Sequence, residues 1–301
     1  MRAVPAYVVI TPVRDEARFI GATIASMRAQ THRPLRWVIV DDGSTDRTPQ
    51  ILREMTQGAP WITVLATGST QRRLGSAEVL AFQRGLAEIE AGSAHQFIVK
   101  LDGDLRLPPS YFERLIARMA SRPRCGIASG VYCEQPIGTD AADGWKTVQM
   151  PAYHAAGASK VVRRACFEQI GGFVAQKGWD TVDEIRAGLH GWQTGHFDDI
   201  VFQHLKPEGL AMGSLRTQLF HGEIYYQTGG GLLFLLAKAA HRMVSASPPL
   251  LGGLAMLWGY LAPCWSGQAR LVNDEEARFY RALLNRRLTR PVNRLLALVR
   301  P

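Results

Sequence analysis

The sequence predicts an α/β protein: a mainly parallel, Rossmann-like central sheet with helices on both faces, followed by a C-terminal helical segment. Three observations predict it. Through the first two-thirds, short apolar runs of strand length alternate with stretches that carry apolar residues at helical spacing. Two of those runs lead straight into clustered aspartates. The last third drops the alternation for one long apolar stretch and then an arginine-rich one. Residues 1–228 and 229–301 are therefore expected to form separate parts.

The elements follow in order. Tyr7–Thr11 (YVVIT) reads as a short buried strand, and Asp15–Gln30 as a helix with Phe19, Ile20, Ile24 and Met27 on one face. Trp37–Val40 is a second strand, ending in Asp41-Asp42-Gly43-Ser44. Helix Thr48–Gln57, strand Trp61–Leu65, helix Ser76–Ala91 and strand Phe97–Leu101 come next. The fourth strand runs into Asp102-Gly103-Asp104, and a helix near Ser110–Ala120 leads to the strand Gly126–Tyr132. This order implies parallel strands joined by right-handed crossovers. In such sheets ligands bind beyond the carboxyl ends of the strands. Thr11, Asp41, Asp42, Asp102 and Asp104 all fall there.

Composition removes several classes. The 301 residues are 47% hydrophobic and 20% charged, which is globular and neither disordered nor fibrous. The four cysteines contain no Cys-x-x-Cys pair, so a disulfide scaffold and a thiolate zinc ribbon are excluded and a reducing compartment is expected. The opening MRAVPAYVVITP carries no secretory signal. No Gly-x-Gly-x-x-Gly follows the first strand and no P-loop occurs, against a dinucleotide dehydrogenase or a P-loop enzyme. The net charge of +9 asks for an anionic partner.

Much of that charge lies late. After Gly267 come Arg270, Arg278, Arg281, Arg286, Arg287, Arg290, Arg294 and Arg300 against Asp274, Glu275 and Glu276. Before them, Met243 to Trp265 is free of charge but interrupted by Pro248, Pro249, Gly252, Gly253, Gly259 and Pro263. A segment lying in a membrane interface is expected, with the arginines drawn to anionic lipid. The competing reading is a buried helical hairpin with a solvated basic tail. Nucleic acid ranks last, since no recognisable nucleic-acid module accompanies the arginines.

Asp102-Gly103-Asp104 is the centre of the chemistry. The glycine permits a sharp turn, so both carboxylates can point into one cavity. Hard divalent cations take one or two carboxylates plus substrate phosphates. The motif alone is also an ordinary acidic turn; its place at a strand end, after Asp41-Asp42 at another, favours the functional reading.

From VVITPVRDEARFIGATIASMRAQTHRPLRWVIVDDGSTDRT, through LDGDL, to GASKVVRRACFEQIGGF, GWDTVDEIRAGLHGW and IVFQHLKPEG, the chain resembles glycosyltransferase family 2. The resemblance covers roughly residues 5–230. It implies a GT-A fold, a nucleotide-sugar donor, a divalent metal (Mn or Mg) and transfer with inversion. By position it implies Thr11, Arg14 and Glu16 at the donor-binding strand end, Asp42 with Asp41 at the nucleotide base, Asp102 at the ribose or metal, and Asp104 on the metal. Arg72 and Arg73 fall in a loop near the donor, where guanidinium groups suit diphosphate oxygens; as residues they could equally be surface charges. Gln83 stands where the family often has Asn.

The resemblance places the catalytic base in GWDTVDEIRAGLHGW. Asp180, Arg186 and Gly191 keep the family's spacing, with Trp192 in the aromatic place, while Trp179 replaces the usual Glu. Asp180 is the expected base, which must reach the acceptor hydroxyl to take its proton. Asp183 and Glu184 share its helix face and remain alternatives, and Asp180 with Asp183 also reads as a helix cap. His204, and less so His221, are candidate third metal ligands, although a lone histidine is commonly just hydrogen-bonded.

The expected activity is a metal-dependent inverting transfer of one sugar to a glycan or lipid-linked acceptor, by a cytoplasmic protein peripheral on the inner face of the membrane. The family's processive synthases usually add Gln-x-x-Arg-Trp and several membrane helices, and this sequence has neither. The alternatives are a sugar nucleotidyltransferase, whose Gly-rich basic loop Thr11–Glu16 does not supply, and a degenerate non-catalytic sugar-nucleotide-binding protein.

Overall fold

The computed structural model describes residues 4–68, 75–89, 92–135, 144–206, 213–245 and 249–299, the side chains of 245 and 289–299 excepted. The chain divides into two compact units, residues 1–207 and 208–301.

The first unit is built on the expected parallel layout. β1 (Tyr7–Val13), β2 (Arg36–Asp41), β3 (Ile62–Ala66) and β4 (Phe97–Leu101) alternate with α1 (Ile20–Arg28), α2 (Thr48–Thr56) and α3 (Ala77–Ala87). They pair in parallel in the order β3-β2-β1-β4. Both faces of β1, β2 and β4 are covered, which is why they read as continuous apolar runs, while β3 at the edge is partly exposed. Tyr7, Val9, Trp37, Ile39, Phe97 and Val99 pack with Ile20, Ile24 and Met27 of α1 on one face. Val8, Ile10, Val38, Val40 and Ile98 pack with Val79 and Phe82 of α3 on the other. α3 lies so close to the sheet that a Cβ on Gly85 would sit 2.6 Å from Ile10 Cγ2.

Beyond β4 the sheet is mixed, which the sequence reading did not foresee. The remaining elements are β5 (Leu105–Arg106), α4 (Tyr111–Ala120), β6 (Cys125–Glu134), β7 (Lys146–Thr147), β8 (Ser159–Arg163), α5 (Arg164–Gln169), α6 (Trp179–Leu189) and β9 (Gln193–His204). β8 enters antiparallel between β4 and β6, and β9 runs parallel to β6. β5 and β7 are antiparallel additions. β1, β2, β3, β4, β6 and β9 thus point one way, so the sheet stays mainly parallel.

One expected boundary is corrected. The helix drawn from Asp15 starts only at Ile20. Asp15 adopts a left-handed backbone (φ 55°), and its Oδ1 accepts the Thr45 N–H at 2.8 Å, while the Glu16 N–H donates to Thr48 Oγ1 at 2.8 Å. Residues 14–16 are therefore tied to the β2–α2 connection as a loop at the sheet's carboxyl edge.

The second unit holds α7 (Ser214–Gln227), α8 (Leu232–Ser245), α9 (Leu251–Trp265) and α10 (Asp274–Val299). It begins before the boundary expected at residue 228, because α7 packs backbone to backbone on α9. A Cβ on Gly222 would lie 2.1 Å from the Met256 carbonyl, and one on Gly259 would lie 2.1 Å from that of Leu219. α10 opens with a reciprocal capping box: Asn273 N–H to Glu276 Oε2 at 2.7 Å, and Glu276 N–H to Asn273 Oδ1 at 2.9 Å. The faces of α8 and α9 turned away from this packing are apolar and exposed. Leu232, Leu233 and Leu236 line one, and Leu251, Leu254, Trp258 and Trp265 line the other. Among the described residues, no helix is long and apolar enough to cross a membrane.

Candidate active site

A cleft of about 440 Å³ opens at the carboxyl ends of β1, β2 and β4, lined by Arg14, Asp15, Glu16, Asp42, Glu78, Asp102, Asp104 and Lys206 among others. The strand ends bring most of the expected residues together. Asp42 sits one residue past β2, where its Oδ1 accepts from Thr67 Oγ1 at 2.7 Å. Across the cleft, Asp102 and Asp104 flank the turn after β4. Gly103 is held there because its carbonyl accepts from the buried Thr23 hydroxyl at 2.8 Å.

Two expected residues stand back. Thr11 is wholly buried, and its Oγ1 accepts the Trp37 indole N–H at 2.8 Å. Strand alternation turns it into the core, so its part is to hold β1 on β2 rather than to meet a donor. Asp41 does not line the cleft: its Oδ1 caps the turn by accepting the Ser44 N–H at 2.9 Å. Arg72 and Arg73 lie outside the described residues.

The floor of the cleft is crowded with negative charge. Lys100, buried in β4, donates to Asp102 Oδ1 at 2.5 Å and lies 3.8 Å from Glu78. Burial pulls the Lys100 ammonium down, but Asp102 and Glu78 outweigh it and raise its pKa. Burial also pushes the Asp102 carboxyl up, with Asp104 and Glu78 adding to the rise and Lys100 opposing it. At the rim Lys206 donates to Glu16 Oε1 at 2.7 Å. Glu16 is raised too, by burial first, against the bond from Lys206. Glu16 Oε2 and Asp104 Oδ1 are buried with no hydrogen-bond partner among the described residues. Orphaned carboxylate oxygens beside a carboxylate driven toward its neutral form are what a hard cation would satisfy. Among the described residues, no three His, Cys, Asp or Glu side chains gather closely enough to hold a metal by themselves. The donor set therefore fits a cation that shares its shell with phosphate oxygens.

His204 closes this group from β9. Its Nε2 is 3.5 Å from Asp104 Oδ2 and its Nδ1 is 2.8 Å from Glu134 Oε1. Burial lowers its pKa, but the two carboxylates outweigh that and push it up to about 10. Both ring nitrogens thus face carboxylates, and one of them would have to be freed for His204 to ligate a metal. His221 lies on α7, in the second unit.

The three candidate bases on α6 are separated by their partners. Asp183 and Glu184 are buried and engaged. Asp183 accepts from Lys160 through both oxygens, and Glu184 accepts the Ala155 N–H at 2.7 Å and lies 3.1 Å from His154 Nδ1. Asp180 is half-buried, and its carboxylate makes no hydrogen bond among the described residues. It is not part of the cleft lining, but the residue before it is joined to that lining: Trp179 donates its indole N–H to Glu78. The Trp179 ring lies close to two buried ammonium groups, 5.2 Å from Lys100 Nζ and 5.0 Å from Lys160 Nζ. Sequence reasoning missed Glu78, Lys100, Lys160, Glu134 and Lys206. The signal for two of them was present: a single lysine inside each apolar strand, FIVKL and SKVVR, which a fold buries only against acids.

Residues 8–170 match the family model described as glycosyl transferase family 2. The chain is 32% identical over 131 residues to the succinoglycan biosynthesis protein ExoA of Rhizobium meliloti, covering 43% of this chain and 36% of that one. It is 27% identical over 175 residues to the beta-monoglucosyldiacylglycerol synthase of Synechocystis sp., covering 52% and 34%. The match thus spans about a third of the length of each of these curated relatives. Among solved structures, the mannosyltransferase PcManGT from Pyrobaculum calidifontis, in complex with GDP-Man and Mn2+, superposes with a TM-score of 0.56 at 20% identity, over 99% of this chain and 82% of that one. At that identity the likeness is one of fold, and it agrees with the GT-A architecture expected from the sequence.

Proposed function

The chain belongs to glycosyl transferase family 2, and from that premise we propose that it moves one sugar, with inversion, from a nucleotide-diphosphate donor to a glycan or lipid-linked acceptor. The observation that carries the reading is the pair Asp102 and Asp104, turned into one cleft opposite Asp42 and Arg14. Asp42 and Arg14 bind the nucleotide end of the donor, and Asp102 and Asp104 would hold Mn²⁺ or Mg²⁺ at the diphosphate end. When bound, that ion neutralises charge on the departing diphosphate. Lys206 and Arg14 add fixed positive charge around the same cleft, with no reorganisation needed as the bond breaks. Asp180 takes the proton of the acceptor hydroxyl, a role that Asp183 and Glu184, already bonded to Lys160 and Ala155, are less suited to fill. PcManGT, of like fold, was solved with GDP-Man and Mn2+, which supports this class of donor and metal.

The names of the two curated relatives include one polysaccharide biosynthesis protein and one glycolipid synthase, and both suit a glycan or lipid-linked acceptor. The exposed leucines and tryptophans of α8 and α9, in the unit that holds the arginine excess, support attachment to the inner face of a membrane with anionic lipid. Calorimetric titration of UDP-, GDP- and dTDP-sugars with Mn²⁺ present tests the donor reading. One donor should bind in a Mn²⁺-dependent manner and be consumed, and binding of none would overturn it.

A further inference from the structure

Resting on that donor reading, one carboxylate of the cleft has no part in the nucleotide, the metal or the base. Glu78 stands in the first turn of α3 with its side chain 43% exposed and lining the cleft. Its Oε1 is fixed twice, accepting the Trp179 indole N–H and lying 3.8 Å from Lys100 Nζ. Its Oε2 has no hydrogen-bond partner among the described residues. A carboxylate held by one oxygen and open at the other is pre-organised to accept hydrogen bonds from a ligand.

Its place decides which part of the ligand it meets. Lys100 joins Glu78 to Asp102, the proposed anchor for the diphosphate end of the donor. Trp179 joins it to the neighbouring Asp180, the base proposed to meet the acceptor. A sugar in transit is bonded to the diphosphate on one side and attacked by the acceptor on the other, so it must lie between those two points.

We propose that Glu78 reads the transferred sugar, its Oε2 accepting one or two hydroxyl groups while Trp179 and Lys100 hold the carboxylate in register. Glu78 then determines donor specificity and contributes little to nucleotide affinity. A polar group built to bond a substrate hydroxyl also discriminates strongly against sugars that lack the hydroxyl or carry it with the other configuration.

The test is calorimetry with Mn²⁺, comparing UDP, GDP and dTDP with UDP-glucose, UDP-N-acetylglucosamine, GDP-mannose and dTDP-rhamnose on the full chain. For the sugar that the wild type prefers, Glu78→Ala should weaken binding by about 10-fold or more, as expected for a lost hydrogen bond to a charged group. The corresponding nucleoside diphosphate should bind within about 2-fold of wild type. Glu78→Gln, which keeps an acceptor for Trp179, should fold as wild type and flatten the preference among sugars. Trp179→Phe keeps an aromatic ring beside the lysines but frees the carboxylate, and should also blunt selectivity. If Glu78→Gln leaves the rank order of sugars intact, or if diphosphate and nucleotide-sugar affinities fall together, Glu78 is only a structural partner of Trp179. If the wild type binds none of these ligands, the donor reading itself fails and this role goes with it.

Discussion

Asp183 offers both of its carboxylate oxygens to Lys160, at 3.1 and 3.0 Å, with both side chains sealed from solvent. That pairing separates two aspartates three residues apart on one helix. Without the Asp183 carboxylate, buried Lys160 keeps only the more distant Glu184 at 3.6 Å and the Asp180 carbonyl at 2.8 Å, so Asp183→Asn should cost about 3 kcal/mol of stability. Asp180→Asn should leave denaturant midpoints near wild type and donor affinity intact, while turnover falls by about 10²-fold or more. Urea titrations with single-turnover kinetics on both variants separate the roles. Loss of turnover in a fully folded Asp183→Asn protein would move the base by three residues.

The metal makes a second prediction. Asp104 lies at the end of the sheet with Oδ1 unsatisfied, so Asp104→Ala removes no hydrogen bond from that oxygen. The fold should survive, transfer should be abolished, and donor binding should lose most of its dependence on Mn²⁺. Calorimetry with and without Mn²⁺ checks this, and wild-type transfer by the variant would remove the central claim.

A pH effect follows from His154. Burial lowers its pKa, but the Glu184 carboxylate 3.1 Å away outweighs burial and raises it above the usual value. A histidine raised on folding contributes stability that is fully present below about pH 6.5, the unfolded value, and is lost as pH rises through the folded one. His154→Gln should therefore be less stable than wild type at pH 6, with the gap narrowing in alkali. Melting curves across that range check it, and a gap that widens with pH contradicts the assignment.

How much of this was legible in the chain follows from where the information sits. β1 to β4 and their helices are local: β1, β2 and β4 are runs of apolar residues buried on both faces, β3 is a shorter apolar run at the sheet's edge, and period alone finds them. β8 and β9 were missed because their sequences, SKVVR and QTGHFDDIVFQH, carry polar residues whose partners lie far along the chain. Lys160 is an example, satisfied only by α6. The cleft was legible as a list of aspartates at strand ends, yet Thr11 and Asp41 look no different from Asp42 until strand alternation and the turn are built. Glu78 could not be read at all. It matters only because Trp179, 101 residues away, turns its N–H toward it.

The last prediction concerns the second unit. In solution an exposed face of Leu232, Leu233 and Leu236, beside Leu251, Leu254, Trp258 and Trp265, leaves a large apolar area in water. α8 is built the wrong way round for a solvated helix. Leu232, Leu233 and Leu236 face out and Leu235 faces in, while Lys238 is half-buried and desolvation, with Arg242 and Arg287 nearby, lowers its pKa to about 8. An interfacial helix resolves this, with leucines and tryptophans among the acyl chains and the basic groups behind them drawn to lipid phosphates at about 1 kcal/mol each. The full chain should sediment with phosphatidylglycerol vesicles at low salt, be partly released by high salt, and need detergent for complete release. Trp258→Ser with Trp265→Ser, both at exposed positions, should leave the fold intact and weaken sedimentation several-fold. Should the wild type stay in the supernatant with anionic vesicles at low salt, the apolar face is covered by something other than lipid, and the reading of the cleft stands unchanged.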